Sequence, residues 1–176
     1  LRPAARTGSS GMGWGARSIR CAPSREDMRN PRRVLFLCTG NCIRSQMAEG
    51  LLRHLAGNRY ESLSAGAYPA GFVHDFAVEV LGEIGIDITG HHSKGVERFL
   101  PPWGAVPDVL VSLCDYAARE CPAFPASVSR LHWPFYDPIE AMGTTEERLG
   151  VFRRVRDEIR ARIERAVAAG ELDEKG

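Results

Sequence analysis

Residues 34–45, which read Val-Leu-Phe-Leu-Cys-Thr-Gly-Asn-Cys-Ile-Arg-Ser, place a short apolar run directly before a polar loop. The run 34–37 has the continuous apolar character of a strand that is buried on both faces of a parallel sheet. Apolar residues then recur at helical spacing as far as Leu55, and Gly57 stands where a helix-ending glycine is expected. A strand, a loop and a helix in this order form the opening unit of an α/β sheet.

The rest of the chain continues the alternation of strands and helices. We expect strands at 60–64, 107–113 and 130–135, a helix from Asp75 to Gly85, and a last helix from Thr144 or Thr145 to Gly170. Thr144 and Glu147 fit a capping box for that last helix. The sequence therefore predicts an open four-stranded parallel sheet flanked by helices, with an anion-binding loop after the first strand.

The composition is that of an ordinary globular domain. Lys and Arg number 23 and Asp and Glu number 22 among 176 residues, so the formal net charge is +1. We therefore expect neither nucleic acid nor a membrane surface as a partner. No run of about 18 apolar residues occurs, so we expect no transmembrane helix. The odd number of cysteines, five, favours a reducing compartment, the cytoplasm, where thiols do chemistry or lie buried.

The two ends of the chain differ from its middle. Residues 1–30 contain five arginines before the first carboxylate, Glu26, and show no apolar periodicity. We expect this segment to be a disordered tail or an over-extended reading frame, with the domain proper beginning near Met28; its composition also mimics an organelle transit peptide. A single domain is expected over residues 31–170, followed by a C-terminal tail at 171–176.

The loop after the first strand has the composition of an oxyanion-binding ring. Its members are Thr39, Gly40, Asn41, Cys42, Ile43 and Arg44. Backbone N–H groups of such a loop, beside a helix N-terminus, can hold an anion, and Gly40 and Asn41 tolerate the left-handed backbone that a ring requires. Arg44 adds a planar guanidinium that suits a tetrahedral oxyanion. We expect Cys38 to lie under the anion as a thiolate nucleophile, with Ser45 donating a hydrogen bond to its sulfur.

Two more cysteines follow the third strand, seven positions apart. Because the third strand adjoins the first in a sheet of this kind, the thiol of Cys114 can lie near Cys38. If 114–121 were an intact helix, the Cα atoms of Cys114 and Cys121 would be about 10.5 Å apart, whereas a disulfide needs them within about 7 Å. A disulfide between them would therefore require the segment to unwind. The alternatives are two buried thiols or half of a zinc site, but their spacing is wider than that of zinc-binding pairs, so we expect no metal.

The motif around the loop resembles the low-molecular-weight tyrosine phosphatase superfamily, and most of all its thioredoxin-coupled arsenate reductases. The resemblance is carried by Leu37–Asn41 and by 44–50, Arg-Ser-Gln-Met-Ala-Glu-Gly, and it extends over residues 33–168. Further matching stretches are 64–66, 85–88, 113–122 and 132–138. Thr39 and the run 46–50 favour the reductases over the phosphatases.

The resemblance implies an arsenate reductase with a three-cysteine relay. Cys38 would attack arsenate, for which phosphate is an analogue, and Asp137 would be the general acid. Cys114 would then displace arsenite from Cys38, and Cys121 would take over the disulfide. Thioredoxin would reduce the final pair, so neither a bound organic cofactor nor a redox metal is expected.

Some members of the superfamily hold a potassium ion with residues that match Asn41, Glu49, Ser64, His92 and Lys94. A carboxylate among those ligands is Lys94 here, so we expect its ammonium to pair with Glu49, to support the loop together with Ser64, and to leave no potassium site. Cys42 stands one position earlier than the second cysteine of many relatives; a packing role is expected, and a dead-end disulfide with Cys38 remains open.

Two other functions remain open. A low-molecular-weight phosphotyrosine phosphatase would use Cys38, Arg44 and Asp137 and ignore the other two cysteines. A non-enzymatic thiol redox sensor would use the cysteines and turn over no substrate. We expect a monomer in each case, and a weak phosphatase side activity in the reductase.

Overall fold

The computed structural model describes residues 31–174, and the predicted N-terminal tail at 1–30 lies outside them. The strands are β1 (Arg32–Cys38), β2 (Tyr60–Gly66), β3 (Val109–Ser112) and β4 (Ser129–His132). The helices are α1 (Arg44–Ala56), α2 (Asp75–Gly82), α3 (Asp115–Glu120) and α4 (Thr145–Ala169). Single 3₁₀ turns cover Val96–Phe99, Pro138–Glu140 and Glu171–Asp173.

All four strands are parallel and lie in the order β2-β1-β3-β4, which confirms the predicted open sheet. β1 is central, and its residues from Val34 to Cys38 are all buried. Because side chains alternate along a strand, Phe36 joins the larger core beneath α1 and α4, whereas Leu35 and Leu37 join the smaller core on the other face. This double burial explains the continuous apolar run.

Helices α2 and α4 are each followed by a glycine with positive φ, although α2 ends at Gly82, three residues before the predicted end at Gly85. Gly85 has φ +77°, and the Ile86 N–H donates to the Leu81 carbonyl at 3.0 Å, which is the closing bond of a Schellman motif after α2. At the start of α4, Thr144 and Glu147 form the predicted capping box, and Gly170 ends α4 with φ +69°.

The prediction of a C-terminal tail at 171–176 is wrong for residues 171–174, the part of this segment that the structure describes. Residues 171–173 form a 3₁₀ turn, and Leu172 is completely buried in the larger core. Arg162 pairs with Glu171, whose carboxylate also accepts from Trp133 Nε1 at 3.3 Å. A single leucine among charged residues carries no periodic signal, which is why the sequence suggested a tail.

Within residues 31–174, no helix is both long enough and apolar enough to cross a membrane.

Candidate active site

The loop between β1 and α1 lies where the sheet topology opens a crevice. The chain leaves β1 for β2 on one side and returns to β3 on the other, so the carboxyl end of β1 is the switch point of the sheet. Ligands of open α/β sheets bind at such points. Cys38 is the last residue of β1 and Arg44 the first of α1, so the predicted oxyanion loop occupies this position.

The sulfur of Cys38 is buried and faces two hydrogen-bond donors. The Asn41 N–H donates to Cys38 Sγ at 3.2 Å, and Ser45 Oγ lies 2.9 Å from the same sulfur. Ser45 Oγ itself accepts from Asn41 Nδ2 at 2.9 Å, which leaves its own proton for Cys38. Two donors therefore converge on Cys38 Sγ, and the predicted contact of Ser45 with this sulfur is present.

Asn41 is the central support of the loop. Its φ of +48° is the only positive φ of a non-glycine residue among the described residues. Its side chain is fully buried: Nδ2 also donates to Ser64 Oγ at 2.9 Å, and Oδ1 accepts from the Lys94 N–H at 2.7 Å. The left-handed backbone predicted for Asn41 is therefore confirmed, with its side chain tied to β2 and to the segment before the first 3₁₀ turn.

Gly40, which tolerates a left-handed backbone, does not adopt one here. A Cβ at this position would lie 3.2 Å from Cys42 Sγ, so that thiol would have to shift by a few tenths of an ångström to admit one. Gly66, at the end of β2, is packed more tightly: a Cβ there would lie 2.9 Å from Asn41 N and Thr39 O. Sequence reasoning placed Gly66 in a matching stretch but gave it no role.

Gln46 is a second support that sequence reasoning quoted without a role. Its buried side chain donates from Nε2 to the carbonyl and to Oδ1 of Asn41, each at 3.0 Å. His91 Nδ1 lies 2.8 Å from Gln46 Oε1, so a half-buried histidine holds the amide in place. Burial, together with Arg53 and Lys94, lowers the pKa of His91, although Glu49 acts in the opposite sense. The sequence carries no local signal for this role, because the burial and the partners of Gln46 depend on the fold.

The ammonium of Lys94 lies where the sequence predicts it. Its Nζ is 3.2 Å from Glu49 Oε2 and 3.2 Å from Ser64 Oγ, and Ser64 Oγ also donates to Glu49. The ion pair is largely shielded from solvent. Lys94, Glu49 and Ser64 therefore form one cluster behind Asn41, in which a cation of the chain itself balances the buried carboxylate.

Arg44 and Asp137 meet at the mouth of the loop although 92 residues separate them in sequence. Arg44 NH2 lies 2.5 Å from Asp137 Oδ2, and NH1 donates to the Phe135 carbonyl at 3.2 Å. Asp137 follows β4 and remains partly exposed, whereas the guanidinium is buried. Binding of an oxyanion by Arg44 must therefore share or break this ion pair.

The structure brings Cys114 to the loop and places Cys121 at the other end of α3. Cys114 Sγ lies 3.4 Å from Thr39 Oγ1. The segment 115–120 is helical, with Cys114 as its N-cap and Cys121 as its C-cap, so the two free thiols stand at opposite ends of α3. Burial raises the pKa of Cys121, although Arg130 lowers it.

Cys42 is half-buried and packs against the larger core, in line with the predicted packing role. Burial, helped by the nearby Cys38 and Asp137, raises its pKa to about 11, so this thiol is neutral near pH 7. Cys38 and Cys42 are both free thiols.

Residues 31–174 contain no group of three or more His, Cys, Asp or Glu side chains that could hold a metal ion.

The fold and the loop place this chain in a known class. The sequence model of the low molecular weight phosphotyrosine protein phosphatases matches residues 33–175, and the chain belongs to this family. An arsenate reductase of Halalkalibacterium halodurans is 45% identical over 141 residues, which are 80% of this chain and 99% of that protein.

Solved structures of arsenate reductases are also similar to this chain. An arsenate reductase in the phosphate binding state has a TM-score of 0.61 at 31% identity, over 78% of this chain and 98% of that one. The Corynebacterium glutamicum thioredoxin-dependent arsenate reductase Cg_ArsC1′ has a TM-score of 0.62 at 28% identity, over 82% of this chain and 65% of that one.

Proposed function

We propose that this protein is an arsenate reductase that works by a three-cysteine relay and is recycled by thioredoxin. The observation that carries the proposal is the position of Cys114, whose sulfur lies 3.4 Å from Thr39 Oγ1 in the oxyanion loop. A phosphatase needs one thiolate, one arginine and one acid, and leaves a second thiol at the loop unexplained. The kinship with arsenate reductases supports the same assignment.

The first step forms a bond between Cys38 Sγ and the arsenic of arsenate. The loop N–H groups and Arg44 hold the oxygens, while Asp137 gives its proton to the departing oxygen, which leaves as water. Because Arg44 and Asp137 form an ion pair in the free protein, the incoming oxyanion replaces Asp137 as a partner of the guanidinium. The freed carboxylate takes up a proton from solvent and then serves as the acid.

The second step reduces the arsenic. Cys114 Sγ attacks Cys38 Sγ, the electron pair of the sulfur–arsenic bond stays on arsenic, and arsenite leaves. Arsenic gains two electrons and the two thiols lose two, so the step balances as a Cys38–Cys114 disulfide forms. Cys121 then attacks Cys114 Sγ and releases the Cys38 thiolate, and a thioredoxin dithiol reduces the Cys114–Cys121 disulfide.

The same thiol chemistry accounts for the source of the electrons. The three thiols supply the electrons, so the reaction needs no bound organic cofactor, and phosphate binds the loop as an analogue of arsenate. We expect the protein to act as a monomer, because every residue of the relay comes from one chain.

A coupled assay tests the proposal. Arsenate, thioredoxin, thioredoxin reductase and NADPH should together give steady NADPH consumption, and omission of thioredoxin or of arsenate should stop it. Phosphate should compete with arsenate without supporting consumption. Equal NADPH consumption with and without arsenate would refute the assignment.

Phosphotyrosine phosphatase activity is the second candidate, since Cys38, Arg44 and Asp137 also suit phosphate ester hydrolysis and the family is named for it. Ile139 and Glu140 follow Asp137-Pro138, in place of the tyrosines that frame a phosphotyrosine in such enzymes. We therefore expect only weak hydrolysis of aryl phosphates.

A further inference from the structure

A cavity of about 500 Å³ lies between α4 and the segment that follows the edge strand β4. It is lined by residues 132–135 and, on α4, by Glu158, Ala161, Arg162 and Arg165. None of these residues belongs to the oxyanion loop. The volume lies within the range of small-molecule sites, about 300–1,000 Å³.

Two aromatic side chains of the cavity already use their polar atoms elsewhere in the protein. Both ring nitrogens of His132 are engaged, Nδ1 with Ser112 Oγ at 2.8 Å and Nε2 with Asp115 Oδ1 at 3.0 Å. The indole N–H of Trp133 donates to Glu171 at 3.3 Å. These two rings therefore contribute flat apolar surface to the cavity rather than free hydrogen-bonding groups.

The guanidinium of Arg162 is held rigidly in the same wall. Its two terminal nitrogens donate to the two carboxylate oxygens of Glu171 at 2.9 and 2.6 Å, and its central carbon lies 4.1 Å from the centre of the Trp133 ring. A guanidinium with one face on an indole can stack on a second π system with its other face. Because Arg162 also lines the cavity, its wall suits a planar aromatic ligand.

One charge in the cavity is uncompensated. Glu158, the single carboxylate of its lining, lies 3.8 Å from Arg154, whereas Arg165 has no salt bridge or hydrogen bond within residues 31–174. Five other arginines of α4 pair with carboxylates: Arg153, Arg154, Arg156, Arg160 and Arg162. The free guanidinium of Arg165 therefore calls for an anionic group on the ligand.

We infer that this cavity is a binding site for a planar aromatic anion, whose ring stacks on Arg162 and whose anionic group pairs with Arg165. The site needs no thiol, so the inference does not depend on the proposed function. It adjoins the oxyanion loop through Phe135, which lines the cavity and whose carbonyl accepts from Arg44 NH1 at 3.2 Å. A ligand in the cavity therefore contacts the segment that positions Arg44.

Titration with 2-naphthoate, a bicyclic aromatic carboxylate, tests the site. Saturating phosphate fills the oxyanion loop throughout, so that the probe cannot bind there. In nuclear magnetic resonance spectra the indole N–H signal of Trp133 should shift saturably, and that of Trp103, which is 95% exposed, should not. 2-Naphthalenemethanol, which has the same ring without the charge, should bind about tenfold more weakly. No saturable shift of Trp133, or equal affinities for the two probes, would overturn the inference.

Two substitutions on α4 separate the charge from the space. Arg165→Ala should weaken binding of 2-naphthoate about tenfold and leave binding of the alcohol unchanged. Arg160→Ala removes an arginine that pairs with Glu164 and does not line the cavity, so both affinities should stay as they are. Equal affinity of R165A and R160A for 2-naphthoate would show that Arg165 does not hold the anion and would overturn the inference.

Ala161→Phe should fill the cavity and abolish binding of both probes. Ala168→Phe makes the same change at an exposed position of α4 outside the cavity and should leave binding intact. Thermal unfolding of each variant checks that it is folded, and R165A decides the question if A161F is not. Undiminished binding of 2-naphthoate by folded A161F would place the ligand elsewhere and contradict the inference.

Discussion

At Asn41 one residue combines a left-handed backbone with a buried side chain that touches β2, α1 and the segment near Lys94. The sequence indicated its backbone, because glycine and asparagine tolerate positive φ. It did not indicate its partners, because hydrogen bonds to Gln46 and Lys94 depend on how distant segments fold together. A residue pattern predicts local conformation better than it predicts tertiary contacts.

Asn41→Ala should lose these bonds and keep an unfavourable φ. We expect a loss of stability of about 2–4 kcal/mol and, because the loop loses its shape, at least a tenfold fall in arsenate kcat/KM. Thermal unfolding followed by circular dichroism and the coupled assay measure the two effects. Asn58→Ala, in an exposed turn, is the matched control; equal behaviour of the two variants would show that Asn41 does not support the loop.

Lys94 gives a prediction about ions. Because its ammonium already pairs with Glu49, exchanging sodium for potassium at constant ionic strength should leave the melting temperature unchanged. Lys94→Asp replaces the ammonium with a carboxylate beside Glu49, and this variant should gain a potassium-specific rise in melting temperature. A rise of several degrees in the unaltered protein would show that Lys94 does not fill the site.

At the scale of helices and strands, the sequence predicts well those features that depend only on neighbouring residues. The apolar run of β1, the Schellman glycine Gly85 and the capping box at Thr144 are all where the pattern predicts them. The close approach of Gly66 to the loop could not be predicted, because nothing in the sequence distinguishes a glycine that makes room for another backbone segment from other glycines. The meeting of Arg44 with Asp137 came only through the resemblance, since no local pattern joins residues so far apart.

The tilted contact between the rings of Tyr68 and Tyr116, with centroids 6.0 Å apart, should help to keep α3 in place. Tyr68→Ala removes the ring, so α3 should open more often and Cys121 should react with iodoacetamide about threefold faster in the reduced protein. Tyr68→Phe keeps the ring and should react like the unaltered protein. Peptide mass mapping follows Cys121 alone; equal rates for the two variants would show that the ring pair does not hold the helix.

At the scale of the whole molecule, the core reaches further along the chain than the sequence suggests. Leu172 closes the larger core after α4 has ended, and Tyr60 Oη donates to Asp173 Oδ1 at 2.7 Å, so the end of the described chain is fastened to β2. The domain that carries the loop therefore includes residues 171–174, beyond the boundary predicted at residue 170.

Leu172→Ala should leave a cavity in this core. We expect a loss of about 2–4 kcal/mol of unfolding free energy with the arsenate KM unchanged, because the cavity is far from the loop in the fold. Met142→Ala, which trims a side chain that is 88% exposed, should change stability by no more than about 0.5 kcal/mol and serves as the control. Denaturant unfolding of the two variants measures the difference; a loss as small as that of the control would place Leu172 outside the core.

The relay is tested most directly by the two activities of Cys114→Ser. We predict that it loses multiple-turnover arsenate reduction with thioredoxin, because no second thiol displaces arsenite, yet keeps p-nitrophenyl phosphate hydrolysis, where water does the displacing. Cys38→Ser should lose both activities, since a hydroxyl is a far weaker nucleophile than a thiolate. Reduction of arsenate by Cys114→Ser at the rate of the unaltered protein would contradict the relay.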